Sequence, residues 1–169
     1  MILVKGLIFI LIFISCTYLG ILISKKYTNR VKELKEFKNA LGIIETKIKF
    51  TYEPLGEIFK EISSSFSTNI SNIFINTCDN MKNYNVSKAW ELAIENGNTY
   101  MIKEDKEVLK SLGKLLGKTD VDGQISQIEQ TSEFLNNQIE KAEVERVKNE
   151  KLYKTLGIVS GIGLVILLI

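Results

Sequence analysis

The 169-residue sequence has no histidine, a single proline, two cysteines (Cys16 and Cys78) and one tryptophan. Without histidine the chain lacks the commonest general base, proton shuttle and metal ligand near neutrality. Two cysteines are too few for a disulfide framework or a thiolate zinc site. One proline and scattered glycines argue against a loop-rich fold. A large net charge is missing as well: 22 basic residues stand against 20 acidic ones, so nothing in the total favours nucleic acid as a partner. The length suits one domain.

What is present is an uneven distribution of charge. Lys5 is the single charge before Lys25, and no charge follows Lys154. Residues 25–154 therefore form a polar block between two apolar ends. Gly6 to Ile23 is an 18-residue stretch without a charge. As a helix it reaches roughly 27 Å, close to a hydrocarbon core of about 30 Å. A cleaved signal peptide is the competing reading, since Lys5 supplies a positive start. No small-x-small site ends the run, however, and Phe13 fits poorly before a lipidated Cys16. The expectation is a retained anchor over residues 1–24. Leu156 to Ile169 gives only 14 apolar residues, and Leu152, Tyr153 and a snorkelling Lys154 extend it by a turn. This end is aliphatic all round, as a second membrane helix over 152–169 requires. Gly157 and Gly161 form a G-x-x-x-G that lets another helix approach closely.

Basic residues set the expected orientation. Residues 25–39 hold Lys25, Lys26, Arg30, Lys32, Lys35 and Lys38, and residues 140–154 hold Lys141, Arg146, Lys148, Lys151 and Lys154. The block over 25–151 is then cytosolic, with both termini on the far side. Its basic flanks suit anionic membrane lipids. The interior, residues 40–139, carries fourteen acidic and ten basic residues, which suits a basic partner or simply a solvated surface.

Apolar spacing inside the block is helical throughout. Val31, Leu34, Phe37, Leu41, Ile44 and Ile48 recur in steps of three and four and predict a helix continuing from the first anchor. Thr51 to Pro54 interrupts it, and Pro54 at a first helical position opens a helix with Leu55, Ile58, Phe59, Ile62 and Phe66. Ser63 to Thr68 reads as a turn, and Ile70, Ile73, Phe74, Thr77 and Met81 as a third helix. Ser87 is the expected cap of a fourth, with Ala89, Trp90, Ala93 and Ile94 inward and Gly97 at its end. Lys103 to Leu116 predicts a fifth, ending at Gly117. After Thr119 or Asp120 as cap, Val121, Ile125, Ile128, Leu135, Ile139, Ala142 and Leu152 predict a long last helix running into the second anchor. The fold class is all-α: an antiparallel six-helix bundle flanked by N- and C-terminal transmembrane helices.

No catalytic, cofactor-binding or metal-ligating constellation emerges, and no enzyme is expected. There is no glycine-rich phosphate loop or nucleophile elbow. Glu53, Glu57 and Glu61 read as a solvated row with Lys60 beside it, and Cys78 as a packed or half-exposed thiol. The stretch from Leu112 to Gln124 is more particular. Gly117 suits a left-handed helix end, Asp120 a cap and Gly113 a close helix approach, which makes this either a mechanical turn or a partner surface. Trp90 is core or interface anchor by the same reasoning. Trp90, Gly113, Gly117, Asp120 and Gln124 are thus the candidate partner or packing contacts, and Gly157 and Gly161 the candidate membrane packing positions.

Several pieces occur in order: Lys25-Lys26-Tyr27 after the first anchor, the helix Leu41 to Ile48 leading into Pro54-Leu55, Ala89-Trp90, Leu112-Gly113 to Leu116-Gly117, Thr119-Asp120 with Gln124, and Lys151 to Gly157 before the second anchor. Together they resemble the stage III sporulation protein AB family of endospore-forming bacteria, whose fold is similar to the cytoplasmic domain of type II secretion F and type IV pilus platform proteins. The resemblance implies a scaffold subunit in the channel-like apparatus joining mother cell and forespore, placed in the mother-cell membrane facing the forespore. It also implies a secretion-type ATPase and other membrane subunits as partners, and leaves a homo-oligomer open. A membrane-anchored sensor or regulatory protein is the alternative, although the segments outside the far membrane face are only a few residues long.

Overall fold

A computed structural model describes Ile2–Thr51, Glu53–Phe66 and Asn69–Leu168, with side chains from Gly6 onward. Among these residues there are six helices and no strand: α1 (Ile2–Phe50), α2 (Leu55–Ser65), α3 (Asn69–Asn80), α4 (Val86–Asn96), α5 (Lys103–Gly113) and α6 (Val121–Leu168). The chain forms two compact units. One comprises Met1–Val31 with Lys141–Ile169, the other Lys32–Glu140.

In the second unit α2 packs on α3, α3 on α4 and α4 on α5. Short connections between sequential neighbours make this an antiparallel arrangement. Most of the stripes anticipated on α1 to α4 are buried: Leu34, Phe37, Leu41 and Ile44 are inaccessible, as are Ile58, Phe59, Ile62, Ile70, Ile73, Phe74, Trp90 and Ile94, while Leu55, Phe66 and Met81 at the ends of α2 and α3 are half-buried. At the centre four helices contribute one ring each. Phe37, Phe59, Phe74 and Trp90 have centroids 5.6–5.8 Å apart in tilted and edge-on pairs. Such pairs add about 0.5–1.5 kcal/mol each beyond the area they bury.

The helix ends depart from sequence expectation at several points. Asn85, not Ser87, caps α4, its side chain accepting the Lys88 N–H at 2.9 Å. Asn85 sits immediately before the first helical residue, where an oxygen reaches the free N–H groups. Pro54 precedes α2 with extended backbone (φ −60°, ψ 139°). Residues 63–65, read from sequence as turn, belong to α2, while Ser67 and Thr68 of that turn and Tyr52 of the earlier interruption lie outside the described residues. α5 stops at Gly113, and Lys114–Lys118 continues as turns.

α6 buries Ile128, Thr131, Leu135 and Gln138 in a three–four rhythm. Ile139, assigned inward by its hydrophobicity, is half-buried, and Leu152 is exposed. Gln138 takes the inward position because α5 offers it a partner: its amide donates to Glu104 Oε1 at 2.7 Å. A buried amide that is hydrogen-bonded avoids the desolvation penalty that would otherwise push it outward.

Glu33 on α1 is 4 % exposed. It accepts from the Asn69 side chain at 2.7 Å and from the Tyr100 backbone N–H at 2.6 Å, tying α1 to the start of α3 and to the segment before α5. Burial pushes its carboxyl above the ordinary range, and the two hydrogen bonds pull it part of the way back. A carboxyl with a raised folded pKa holds its proton more tightly folded than unfolded. Its contribution to stability is complete below the ordinary Glu value of about 4.3 and is lost as pH rises through the raised value. Glu33→Gln therefore flattens the decline in stability between that pH and neutrality. Urea midpoints of the full-length protein across this range test it, and an unchanged slope rejects it.

Candidate functional site

Two local structures gather the residues singled out in the sequence. The first is the Leu112–Gln124 connection. Trp90 is inaccessible, and its indole N–H donates to the Leu109 carbonyl at 2.7 Å. Gly113 lies beneath the same ring: a Cβ there would stand 2.3 Å from Trp90 Cδ1 and 2.8 Å from Cγ. Trp90 and Gly113 are thus placed in packing and not on the surface. Gly117 is exposed, with φ at 73°, the left-handed region that favours glycine. Its N–H donates to Gln124 Oε1 at 3.1 Å, and Gln124 Nε2 donates to the Thr119 carbonyl at 3.0 Å, so one amide clamps the turn from both sides. Of the two candidate caps, Asp120 is the one used: its Oδ1 accepts the Gly123 N–H at 3.0 Å, and its carbonyl accepts the Gln124 N–H. A groove of about 200 Å³ lies beside this turn, between Ile48, Glu53, Leu55, Gly117, Val121 and Gln124.

The second structure is the paired apolar helix ends, both long and apolar enough to cross a membrane. Backbones meet where side chains are smallest. A Cβ on Gly157 would stand 2.9 Å from the Cys16 carbonyl oxygen and 3.1 Å from Gly20 Cα. One on Gly161 would lie 3.0 Å from a Phe13 ring carbon and 3.4 Å from Cys16 Cβ. Gly20 is the facing half of this contact, since its own Cβ would reach the Tyr153 carbonyl oxygen at 2.5 Å. The α1 signal for it is Cys16-x-x-x-Gly20-x-x-x-Ser24, a small-residue spacing of the same kind as G-x-x-x-G. Beyond the apolar part the same pair is clasped by polar contacts. Tyr27 stacks on Tyr153 at 5.9 Å, Arg30 meets Glu145 at 2.7 Å, and Thr28 donates to Glu150 at 3.5 Å. Arg30 is buried while Glu145 is half-exposed, so solvent reaches this ion pair from the carboxylate side.

Other chemistry-bearing residues have local partners. Lys47 of α1 joins Glu53 at 3.3 Å and Glu61 at 2.7 Å, so it is Lys47 that bridges the two ends of that carboxylate row. Cys78 is half-buried with its thiol directed at the Gly56 carbonyl, and burial raises its pKa, the opposite of an activated nucleophile. Among the described residues no three His, Cys, Asp or Glu side chains converge to hold a metal ion.

Comparison with known proteins agrees with this architecture. The sequence profile of stage III sporulation protein AB matches residues 5–169. The chain belongs to the stage III sporulation protein AB family. Its members include the stage III sporulation protein AB of Bacillus subtilis (strain 168), 30 % identical over 167 residues and covering 96 % of both chains. A solved structure of a stage III sporulation protein AB superposes with a TM-score of 0.66 at 22 % identity, over 71 % of this chain and 98 % of that one, and shows the shared fold. Family membership assigns a sporulation role, and the two apolar helices accord with membrane association.

Two outcomes follow from the glycine contacts. Gly161→Cys brings a second Cβ to within 3.4 Å of Cys16 Cβ, close to disulfide spacing, so mild oxidation of membranes forms an intramolecular cross-link visible by non-reducing gel mobility. Adding Gly157→Leu separates the helices and suppresses the cross-link, and equal yields in both backgrounds contradict this pairing. In the bundle, Gly113→Ala forces the Trp90 ring aside and costs about 1–3 kcal/mol, the range for overpacking. Equilibrium unfolding of the full-length protein measures it, and a wild-type midpoint contradicts it.

Proposed function

We propose that this protein is a non-enzymatic membrane platform of the sporulation channel. It holds its helical bundle in the mother-cell cytosol, with both termini across the membrane, and there docks a cytosolic secretion-type ATPase. The observation that carries the reading is the double anchoring. α1 and α6 each contain an apolar segment, and the two segments meet glycine to glycine at Gly20 and Gly157. Backbone contact of this kind is how helices associate in lipid, where no hydrophobic driving force separates helix from solvent. A chain that leaves and re-enters the membrane through a zipped pair keeps whatever lies between tethered at the membrane by both ends. The basic residues that flank both spans favour the cytosolic side for that surface.

The experiment is affinity purification of the tagged full-length protein from sporulating cells after mild solubilisation. The expected result is retention of the channel ATPase together with other membrane subunits of the apparatus. If the wild-type protein retains none of them, the platform reading is wrong. Turnover by the purified protein that a single carboxylate substitution abolishes would also overturn it.

A further inference from the structure

α6 carries a surface that its packing does not use. Between Val121 and Glu140 the chain has no basic residue. Asp122, Glu129, Glu133 and Glu140 are all exposed and are spaced by seven, four and seven, which aligns them on one face of the helix. None of the four has an ion pair or side-chain hydrogen bond among the described residues. About a third of a turn around the helix from this row lies a groove of about 380 Å³, between Glu107, Val108 and Ser111 of α5 and Gln127, Gln130, Thr131 and Phe134 of α6. Phe134 is 53 % exposed within it, on a helix whose adjoining face is anchored by Ile128 and Leu135. A half-exposed aromatic ring held on a rigid element, with amides around it, is the composition of an interface core and rim.

We infer that the α5–α6 groove around Phe134 is the docking surface for a basic segment of the cytosolic partner, which inserts an apolar side chain against the ring. The inference rests on the platform reading and specifies where its partner binds. Charge complementarity selects the occupant. A second copy presenting this face would set carboxylates against carboxylates, and an anionic lipid surface is repelled by the same row. A segment rich in Lys or Arg satisfies the row, while its apolar side chain covers Phe134 and Val108. Glu107 is already bridged to Lys110 at 2.7 Å, so the unpaired row on α6 supplies the attraction.

The test uses the full-length protein in neutral phosphatidylcholine nanodiscs and the purified secretion-type ATPase of the same apparatus as probe, with affinity read at low and at physiological salt. Phe134→Ser is expected to weaken binding at least about tenfold, as loss of an interface anchor does. Glu129→Gln with Glu133→Gln weakens it most at low salt and flattens its salt dependence, as removal of steering charges does. Glu57→Gln, an exposed acid on α2, leaves it unchanged. Circular dichroism and thermal midpoints like those of wild type exclude misfolding as the cause. If wild type binds and the α6 variants bind equally well, this surface is wrong while the platform reading stands. If wild type does not bind the ATPase at all, both fall. Concentration-dependent self-association lost in Phe134→Ser would identify a second copy as the occupant and overturn the inference.

Discussion

The bundle depends on how one indole is accommodated. Trp90 reaches from α4 into contact with Phe37 of α1, Phe59 of α2 and Phe74 of α3, and its N–H is satisfied by a carbonyl of α5. A ring this large is a substantial source of burial energy, but only where its one polar atom finds an acceptor. That requirement sets the distance of α5: Leu109 must present its carbonyl to the ring edge, and the next turn of α5 then runs under the ring face. Only glycine leaves room there, which accounts for Gly113. The path of the chain after Gly113 follows from the same constraint. α5 stops, the turns of Lys114–Lys118 bring the backbone round, and Gly117 reverses it through a positive φ before Asp120 starts α6.

Polar groups then determine which way the outer helices face. On α1, Glu33 is buried against Asn69 and the Tyr100 N–H, and on α6, Gln138 is buried against Glu104. Neither adds much net stability, because each gives up water to make its bonds. Their value lies in what happens if a helix rotates: a buried carboxylate or amide would lose its partner and bear the desolvation penalty. Apolar stripes alone permit a helix to turn by part of a residue step, whereas these contacts specify one rotation.

Much of this architecture is legible in the sequence because it follows from period. The inward residues of α1 to α4 are the ones that a 3.6-residue repeat selects, and the two charge-free ends stand out before any helix is drawn. The errors arise where two residues compete for one role and only the folded neighbourhood decides. Asn85 and Ser87 are both good caps, and the chain starts α4 at the first. Ile139 is the more apolar choice, yet Gln138 turns inward because Glu104 waits for it. Gly117 looks like the end of α5, but the regular helix stops at Gly113 and turns carry the backbone on to the positive φ of Gly117. In the candidate site, Asp120 and Gln124 can be picked out from local chemistry. The assignment of Gly113 to Trp90 needs a contact across 23 positions of sequence. Gly20 is hard to single out for the same reason, since a small residue in an apolar run acquires meaning only with Gly157 facing it.

The near-neutral total charge also has a structural explanation. Exposed acids aligned on one helix repel one another, and Glu129 and Glu133, four residues apart, oppose helix formation by about 0.2–0.5 kcal/mol. A single lysine between them would remove the cost, as Lys88 does for Glu91 and Lys154 for Glu150 elsewhere in the same chain. The chain thus has the means to neutralise its surface and uses it on α4 and just before the apolar end of α6, but not along Val121 to Glu140. There the packing of Ile128 and Leu135 already holds the helix, so the repulsion is tolerated structurally. Basic residues also flank the apolar segments, at Lys25, Lys26 and Arg30 on one side and at Lys148, Lys151 and Lys154 on the other. The two polarities are therefore separated along α6 by the different surroundings each part of the helix meets.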